Sequence, residues 1–258
     1  MSTPHEQIDT PPVIRTAVCK EDAFGAASAG TAIPGQHPGN PATIPTCEEL
    51  QQALIRRHTG TVQHRLSKAR VAVAGLGGLG SNIAVSLARI GVGHLHLIDF
   101  DRVDITNLNR QQYFIHQIGM EKTEALKDIL LAINPYLTIQ TDCVRVTEKN
   151  VPALFRDDTY ICEAFDVPEN KAMLAETVLE HFPDKYLIAA SGMAGYGDSN
   201  RIRTRKISSH FYLCGDETSE VREGQGLMAP RVALCAAHQA NLVVELILRQ
   251  TGTKRRQS

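Results

Sequence analysis

Four glycines, Gly75, Gly77, Gly78 and Gly80, follow directly on the apolar run 71–74 and open onto a helical pattern that continues to about Ile90. A strand, glycine turn and helix in this order restrict the fold severely. The turn lets backbone approach a ligand closely, and the free amides at the start of the helix face an anion. A second apolar strand ends at Asp99, about 20 residues beyond the glycines, where an acid can accept hydrogen bonds from ribose hydroxyls.

Strand and helix signals then alternate. Residues 121–133 read as a helix stopped by Asn134-Pro135, 138–146 as a strand, and 151–155 as a short helix. Residues 160–165 form a buried strand ending at Asp166, 170–182 a helix, and 186–190 a strand running into Ser191-Gly192. The pattern predicts an α/β fold: a doubly wound, mostly parallel Rossmann-like sheet with helices on both faces and a less regular C-terminal part. In such a sheet the ligand crevice lies at the carboxyl ends of the strands, so the glycine turn, Asp99 and Asp166 should share one rim.

The 258 residues, 43% of them apolar, suffice for one substantial core. Residues 1–46, with seven prolines and few large apolar side chains, read as a disordered tail; 47–249 is the folded domain and 250–258 a solvated tail carrying Lys254-Arg255-Arg256. Lys and Arg number 27 against 28 Asp and Glu, which argues against nucleic acid or an anionic membrane as partner. The sequence has no obvious secretory signal and no apolar run judged long enough for a bilayer, so a cytoplasmic protein is expected. Six cysteines without a C-x-x-C pair exclude the usual zinc site and a disulfide framework.

Several local readings follow. Leu50, Leu54 and Ile55 indicate a first helix stopped by Gly60, with Arg56 and Arg57 near its end, then a short helix at 62–67. His94 and His96 share one face of a strand, as metal ligands would, but without a third ligand they read as packed or edge-exposed. Residues 200–205 place Arg201, Arg203 and Arg205 on one strand face, 214–226 reads as a mobile loop containing Cys214, and 230–248 as a final amphipathic helix.

The segment after Asp99 separates ATP from NAD. Asp101, Asp104, Asn107, Asn109, Arg110 and Gln111 crowd the phosphate crevice with groups that a dinucleotide does not need. A triphosphate does need them: Arg110 and Lys122 neutralise its charge, and Asp166 can hold Mg²⁺.

Gly75-Leu76-Gly77-Gly78-Leu79-Gly80, Asp99-Phe100-Asp101, Asn107-Leu108-Asn109-Arg110-Gln111, Lys122 and Asp166 together resemble the ThiF/MoeB/HesA family of the ubiquitin-activating-enzyme-like superfamily, over residues 48–249. Segments 163–166, 191–197 and 226–232 resemble its ThiF family 2 branch, the sulfur carrier ThiS adenylyltransferases. The resemblance implies a cytoplasmic homodimer that uses ATP and Mg²⁺ to adenylate the C-terminal glycine of a ThiS-like carrier in thiamine biosynthesis. By position, Gly75, Gly77, Gly78 and Gly80 form the phosphate turn, Asp99 holds the ribose, and Asn107, Arg110 and Lys122 grip the triphosphate. Asp166 orients Mg²⁺. Asp101 and Asn109 serve either the nucleotide or the loop itself. Arg110, Lys122 and Asp166 are the implied catalytic set. Cys214 would receive the activated carrier or sulfur, Arg56 or Arg57 would reach a neighbouring subunit's site, and Arg201, Arg203 and Arg205 would face an acidic carrier. Other readings are a molybdopterin-type carrier, the carboxylate of a modified tRNA base, an NAD-dependent oxidoreductase, or a carrier-binding scaffold without activity.

Overall fold

The computed structural model describes residues 44–249; the expected tails lie outside the described residues, except for 44–46. Helix α1 (Cys47–His58) starts at a capping box in which the Glu49 amide donates to Thr46 Oγ1 and the Thr46 amide donates to Glu49 Oε2. It buries no residue. Thr59, at φ +76°, closes it by donating to Ile55 O and also caps α2 (Gly60–Lys68). Gly60 therefore begins the second helix and does not end the first.

The sheet and its covering helices follow in order: β1 (Arg70–Ala74), α3 (Gly78–Arg89), β2 (His94–Ile98), α4 (Lys122–Ile133), β3 (Thr138–Asp142), α5 (Val151–Leu154), β4 (Tyr160–Glu163), α6 (Pro168–His181) and β5 (Tyr186–Ala190). An antiparallel pair, β6 (Arg203–Lys206) and β7 (Phe211–Gly215), precedes the long α7 (Ala229–Arg249). The strands make one sheet in the order β3-β2-β1-β4-β5-β7-β6, parallel apart from the β6 edge. The direction of winding reverses between β1 and β4, which defines the crevice for a ligand.

Both faces of the central strands are covered, as their nearly continuous apolar sequences require. Val71 and Val73 of β1 pack toward a core that includes Leu87 of α3, Leu126 of α4 and Val243 of α7. Ala72 and Ala74 point the other way, into a core containing Val151, Phe155, Leu174 and Val178. Helix α7 is long and apolar enough to cross a bilayer by composition, contrary to the sequence reading. Its apolar stripe, including Val232, Cys235, Ala236 and Val243, is instead buried in the protein core.

Four sequence expectations change. Strand β3 stops at Asp142, and the chain beyond it turns so that 144–146 line the crevice. Arg201 lies in a 3-10 turn, Ser199–Arg201, so only Arg203 and Arg205 share a face of β6. Strand β7 falls where the sequence reading began a mobile loop. Cys214 pairs with Thr204 and Ala190 in that strand and is fully buried, because its apolar neighbours join the sheet.

The histidines are also resolved. His96 is buried, with Nε2 at 2.7 Å from Asp142 Oδ2 and Nδ1 at 2.8 Å from Asp158 Oδ2. Burial opposes its charge, but the hydrogen bonds and charges of the two carboxylates prevail and push its pKa up to about 9. Among the described residues no group of three His, Cys, Asp or Glu is placed to hold a metal.

Candidate active site

A cavity of about 770 Å³ opens where β1 and β4 diverge. Gly75, Gly77 and Gly78 form one wall, Asp99 and Asp101 the end of β2, and Ala164, Phe165 and Asp166 the end of β4. Asn107, Arg110 and Lys122 close on it from the excursion after β2 and the start of α4, and Ser191–Ala194 with Ser219–Val221 extend it beyond β5 and β7. The topology thus gathers Asp99, Arg110, Lys122 and Asp166 around one space, although they are separated in sequence by tens of residues.

The turn depends on glycine. Gly75 has φ +90°, and a Cβ there would lie 2.8 Å from Ala164 O on the neighbouring strand end. Gly80 stands outside the cavity lining; a Cβ on it would meet Gly75 O at 1.8 Å, so it sets how closely α3 approaches the turn. Gly77 is different, because its only near neighbour is Gln111 Nε2 at 3.7 Å and it faces the cavity.

Asp99 is buried and has structural duties that its sequence position did not disclose. Oδ2 accepts from the Leu76 amide at 2.6 Å and Oδ1 from the Asp101 amide at 2.8 Å. One carboxylate thereby joins the glycine turn to the end of β2, while each oxygen keeps a lone pair for a ligand. Tyr113, buried beside it, donates to Leu76 O at 2.8 Å; burial, then the charges of Asp99 and Asp101, push its hydroxyl pKa well up.

The cations are held in place before any ligand arrives. Lys122 Nζ pairs with Asp101 Oδ2 at 2.8 Å, and the lysine is far more buried than its partner. Arg110 Nη1 donates to Thr106 O and to Asn109 Oδ1, while its buried Nε has no hydrogen-bond partner among the described residues. Asn107 caps its own turn by accepting from the Asp104 amide. Asn109 lies outside the cavity lining; it orients Arg110 and donates to Leu227 O. Asp166 is exposed in the cavity wall and makes no hydrogen bond or ion pair among the described residues. One unengaged carboxylate in the wall of this cavity fits Mg²⁺, which takes most of its ligands from phosphate and water.

Some charged groups that support the site had no individual role legible in the sequence. Glu163, fully buried at the end of β4, pairs with Lys171 in the first turn of α6. Asp216 accepts from the amides of Thr218 and Ser219 and from Arg231 Nη2, which fastens the loop after β7 to α7. Burial opposes the Asp216 charge, but these donors hold its carboxyl well below the usual range. Spacing alone could not pair these partners.

Cys214 lies outside the cavity lining, and burial raises its thiol pKa to about 11. Arg56 and Arg57 are exposed near the end of α1 and also lie outside the lining of this chain's cavity.

Known proteins resemble the chain in sequence and in fold. UBA4 of Candida glabrata, an adenylyltransferase and sulfurtransferase, is 30% identical over 208 residues, covering 77% of this chain and 47% of that protein. The chain thus spans about half the length of that relative. Ubiquitin-like modifier-activating enzyme 5 of Caenorhabditis elegans is 39% identical over 109 residues, 42% of this chain and 25% of that protein. Among solved structures, Escherichia coli tRNA N6-threonylcarbamoyladenosine dehydratase TcdA in complex with ATP superposes with a TM-score of 0.72 at 22% identity, covering 79% of this chain and 95% of that one. Escherichia coli MccB with AMPCPP and MccA gives 0.56 at 25% identity, covering 72% and 57%. The ThiF family model matches residues 49–257, and the chain belongs to the ThiF family.

Proposed function

We propose that the chain is an adenylyltransferase that activates the C-terminal carboxylate of a ubiquitin-fold carrier with ATP. The observation that carries this reading is the meeting of an open glycine turn, two restrained cations and an unengaged carboxylate around one cavity. A dinucleotide oxidoreductase accounts for the turn and Asp99 but leaves Arg110, Lys122 and Asp166 without work.

In the proposed reaction a carrier carboxylate oxygen attacks the α-phosphorus of ATP. The bond from that phosphorus to the α,β-bridging oxygen breaks, leaving an acyl adenylate and pyrophosphate. The amides around Gly77 and Gly78 bind phosphate oxygens, and Asp99 accepts from the ribose. Arg110 and Lys122 balance the charge that builds on the transferring and leaving phosphates, with Lys122 exchanging Asp101 for phosphate. Asp166 would hold Mg²⁺, which would neutralise the leaving pyrophosphate. The loops after β5 and β7 line the part of the cavity beyond the glycine turn, where the carrier's chain end would enter.

The relatives favour a ubiquitin-like carrier in general over the thiamine carrier ThiS in particular. UBA4 is named for adenylyl and sulfur transfer and the Caenorhabditis elegans relative for activating a ubiquitin-like modifier. MccB was solved with a nucleotide analogue together with MccA. A homodimer, with Arg56 or Arg57 completing the partner's site, belongs to the same proposal.

A second reading, activation of a carboxylate on a modified tRNA base, draws on β6. Its four residues are exposed and include Arg203, Arg205 and Lys206, and TcdA is named for a tRNA nucleoside. Exchange of labelled pyrophosphate into ATP distinguishes the readings. Exchange that requires a carrier ending in glycine, whether of the ThiS, molybdopterin or modifier type, supports the first. Exchange that requires tRNA alone supports the second, and tight NAD binding without ATP binding sinks both.

A further inference from the structure

Phe165, the residue before Asp166, has both backbone polar groups held by a single ion pair. Its amide donates to Glu163 Oε1 at 2.7 Å, and its carbonyl accepts from Lys171 Nζ at 2.9 Å. Lys171 Nζ also lies 2.9 Å from Glu163 Oε1 and 2.8 Å from Oε2, the latter too poorly aligned for a hydrogen bond. Glu163 is fully buried, whereas the Lys171 side chain is partly exposed, at 22%.

Lys171 brackets the aspartate from the other side as well. Its backbone amide makes the opening hydrogen bond of α6, to Val167 O at 3.1 Å, so the carbonyls before and after Asp166 are both held, the first by the Lys171 side chain and the second by the helix itself. The same segment abuts the glycine turn: a Cβ on Gly75 would lie 2.8 Å from Ala164 O and 3.0 Å from Phe165 Cδ1. Because Asp166 itself has no side-chain partner, only its flanking backbone fixes where its carboxylate stands.

The sheet does not need this clamp. The carboxyl end of β4 is already secured by the Ala164 amide donating to Ala74 O and by Gln239 Nε2 donating to Glu163 O and Ile188 O. A buried charge pair is an expensive way to hold a turn that could end in apolar packing. We propose that Glu163 and Lys171 are positioning residues that set the Asp166 carboxylate for a divalent cation, relative to the phosphate turn. This rests on the adenylation reading given above.

The test is the affinity of the full chain for Mn²⁺ in the presence of a non-hydrolysable ATP analogue, read by electron paramagnetic resonance, with analogue binding in chelator measured separately. K171M should weaken Mn²⁺ by about tenfold or more, as loss of an outer-shell partner does, while metal-free analogue affinity stays within about twofold. K171R should recover most of the loss, because a guanidinium can still donate to Phe165 O. A merely structural role would lower thermal stability and leave Mn²⁺ affinity alone. If K171M does not fold, the neutral pair E163Q/K171M removes the buried charge while retaining an acceptor for the Phe165 amide, and the same weakening is expected. Unchanged Mn²⁺ affinity in either folded variant, with D166A weakened, overturns the clamp. Unchanged affinity in D166A overturns instead the assignment of the metal to Asp166.

Discussion

Asp99 Oδ2 accepts a hydrogen bond from the Leu76 amide at 2.6 Å, so the acid at the end of β2 holds the first peptide of the glycine turn after β1. Its other oxygen holds the Asp101 amide. The two strand ends that a nucleotide must bridge are therefore bridged already, and binding finds the crevice formed. Asp166, across the same cavity, is held by nothing but its backbone neighbours.

That contrast predicts opposite behaviour for two acids. D99N places an amide group against one of two backbone donors and should cost about 1.5–3 kcal/mol of stability, with weaker ATP binding besides. D166A should leave stability within about 0.5 kcal/mol, since the side chain is exposed and unpartnered. Carrier-dependent pyrophosphate exchange should nonetheless fall by about a hundredfold or more, as expected when a charge-stabilising group is lost. Urea titration and the exchange assay on both variants check this; a stable, fully active D99N would refute it.

His96 predicts a pH dependence of stability. Its folded pKa, about 9, exceeds the ordinary histidine value of 6.5, so the folded state binds the proton more tightly. The contribution is complete below about pH 6.5 and is lost as pH rises through 9. Each unit is worth about 1.4 kcal/mol, giving a loss on the order of 3 kcal/mol across that window. H96Q should be less stable at pH 6, with Asp142 and Asp158 left facing each other, and much flatter up to pH 8.5. Above that, thiol ionisation in the unfolded chain adds its own slope, since burial raises the pKa of Cys162, Cys214 and Cys235. Chemical denaturation at half-unit pH steps measures the difference between the two proteins.

Cys214 is predicted to be inert. It is fully buried within β7, with its thiol raised to about 11, so it should not react with a thiol reagent until the chain unfolds. C214S should retain pyrophosphate exchange and any onward transfer of the carrier. Cys143, which is exposed, serves as the labelling control. Rapid labelling of Cys214 in the native state would show that β7 opens and would restore the loop reading.

How much was legible follows from where the chemistry sits. Gly77, Asp99 and Asp166 each stand at or just beyond a strand's carboxyl end, and a doubly wound sheet brings such ends together, so their convergence could be read from order alone. Strand β7 could not: Phe211–Gly215 is short, sits between polar turns, and pairs with β5 across an intervening strand in sequence. Nor could the work of Glu163, Lys171, Asp216 and Arg231. A charged residue in an apolar strand or at a helix start has no visible partner until the fold supplies one. Asp99 was recognised for its ligand role, while its two backbone hydrogen bonds depended on turn geometry that no spacing encodes.

The glycines provide the sharpest separation of folding from binding. Gly77, the N-cap of α3, has a negative φ of −73°, and among the described residues a Cβ there meets nothing nearer than Gln111 Nε2 at 3.7 Å, yet it would stand in the cavity wall where phosphate is expected. G77A should therefore lose no more than about 1 kcal/mol of stability, the cost of alanine at a helix N-cap, and bind ATP about tenfold or more weakly, because a methyl group occupies the approach that the amides need. G80A is the converse. Its Cβ would lie 1.8 Å from Gly75 O, a backbone atom that cannot rotate aside, so α3 must shift and stability should fall by several kcal/mol, typical of overpacking or more. Thermal melts and ATP titration of the two proteins decide the matter. If G77A binds ATP as the parent does, phosphate does not approach at Gly77, and the site must be rebuilt around the amides of Gly78 and Leu79.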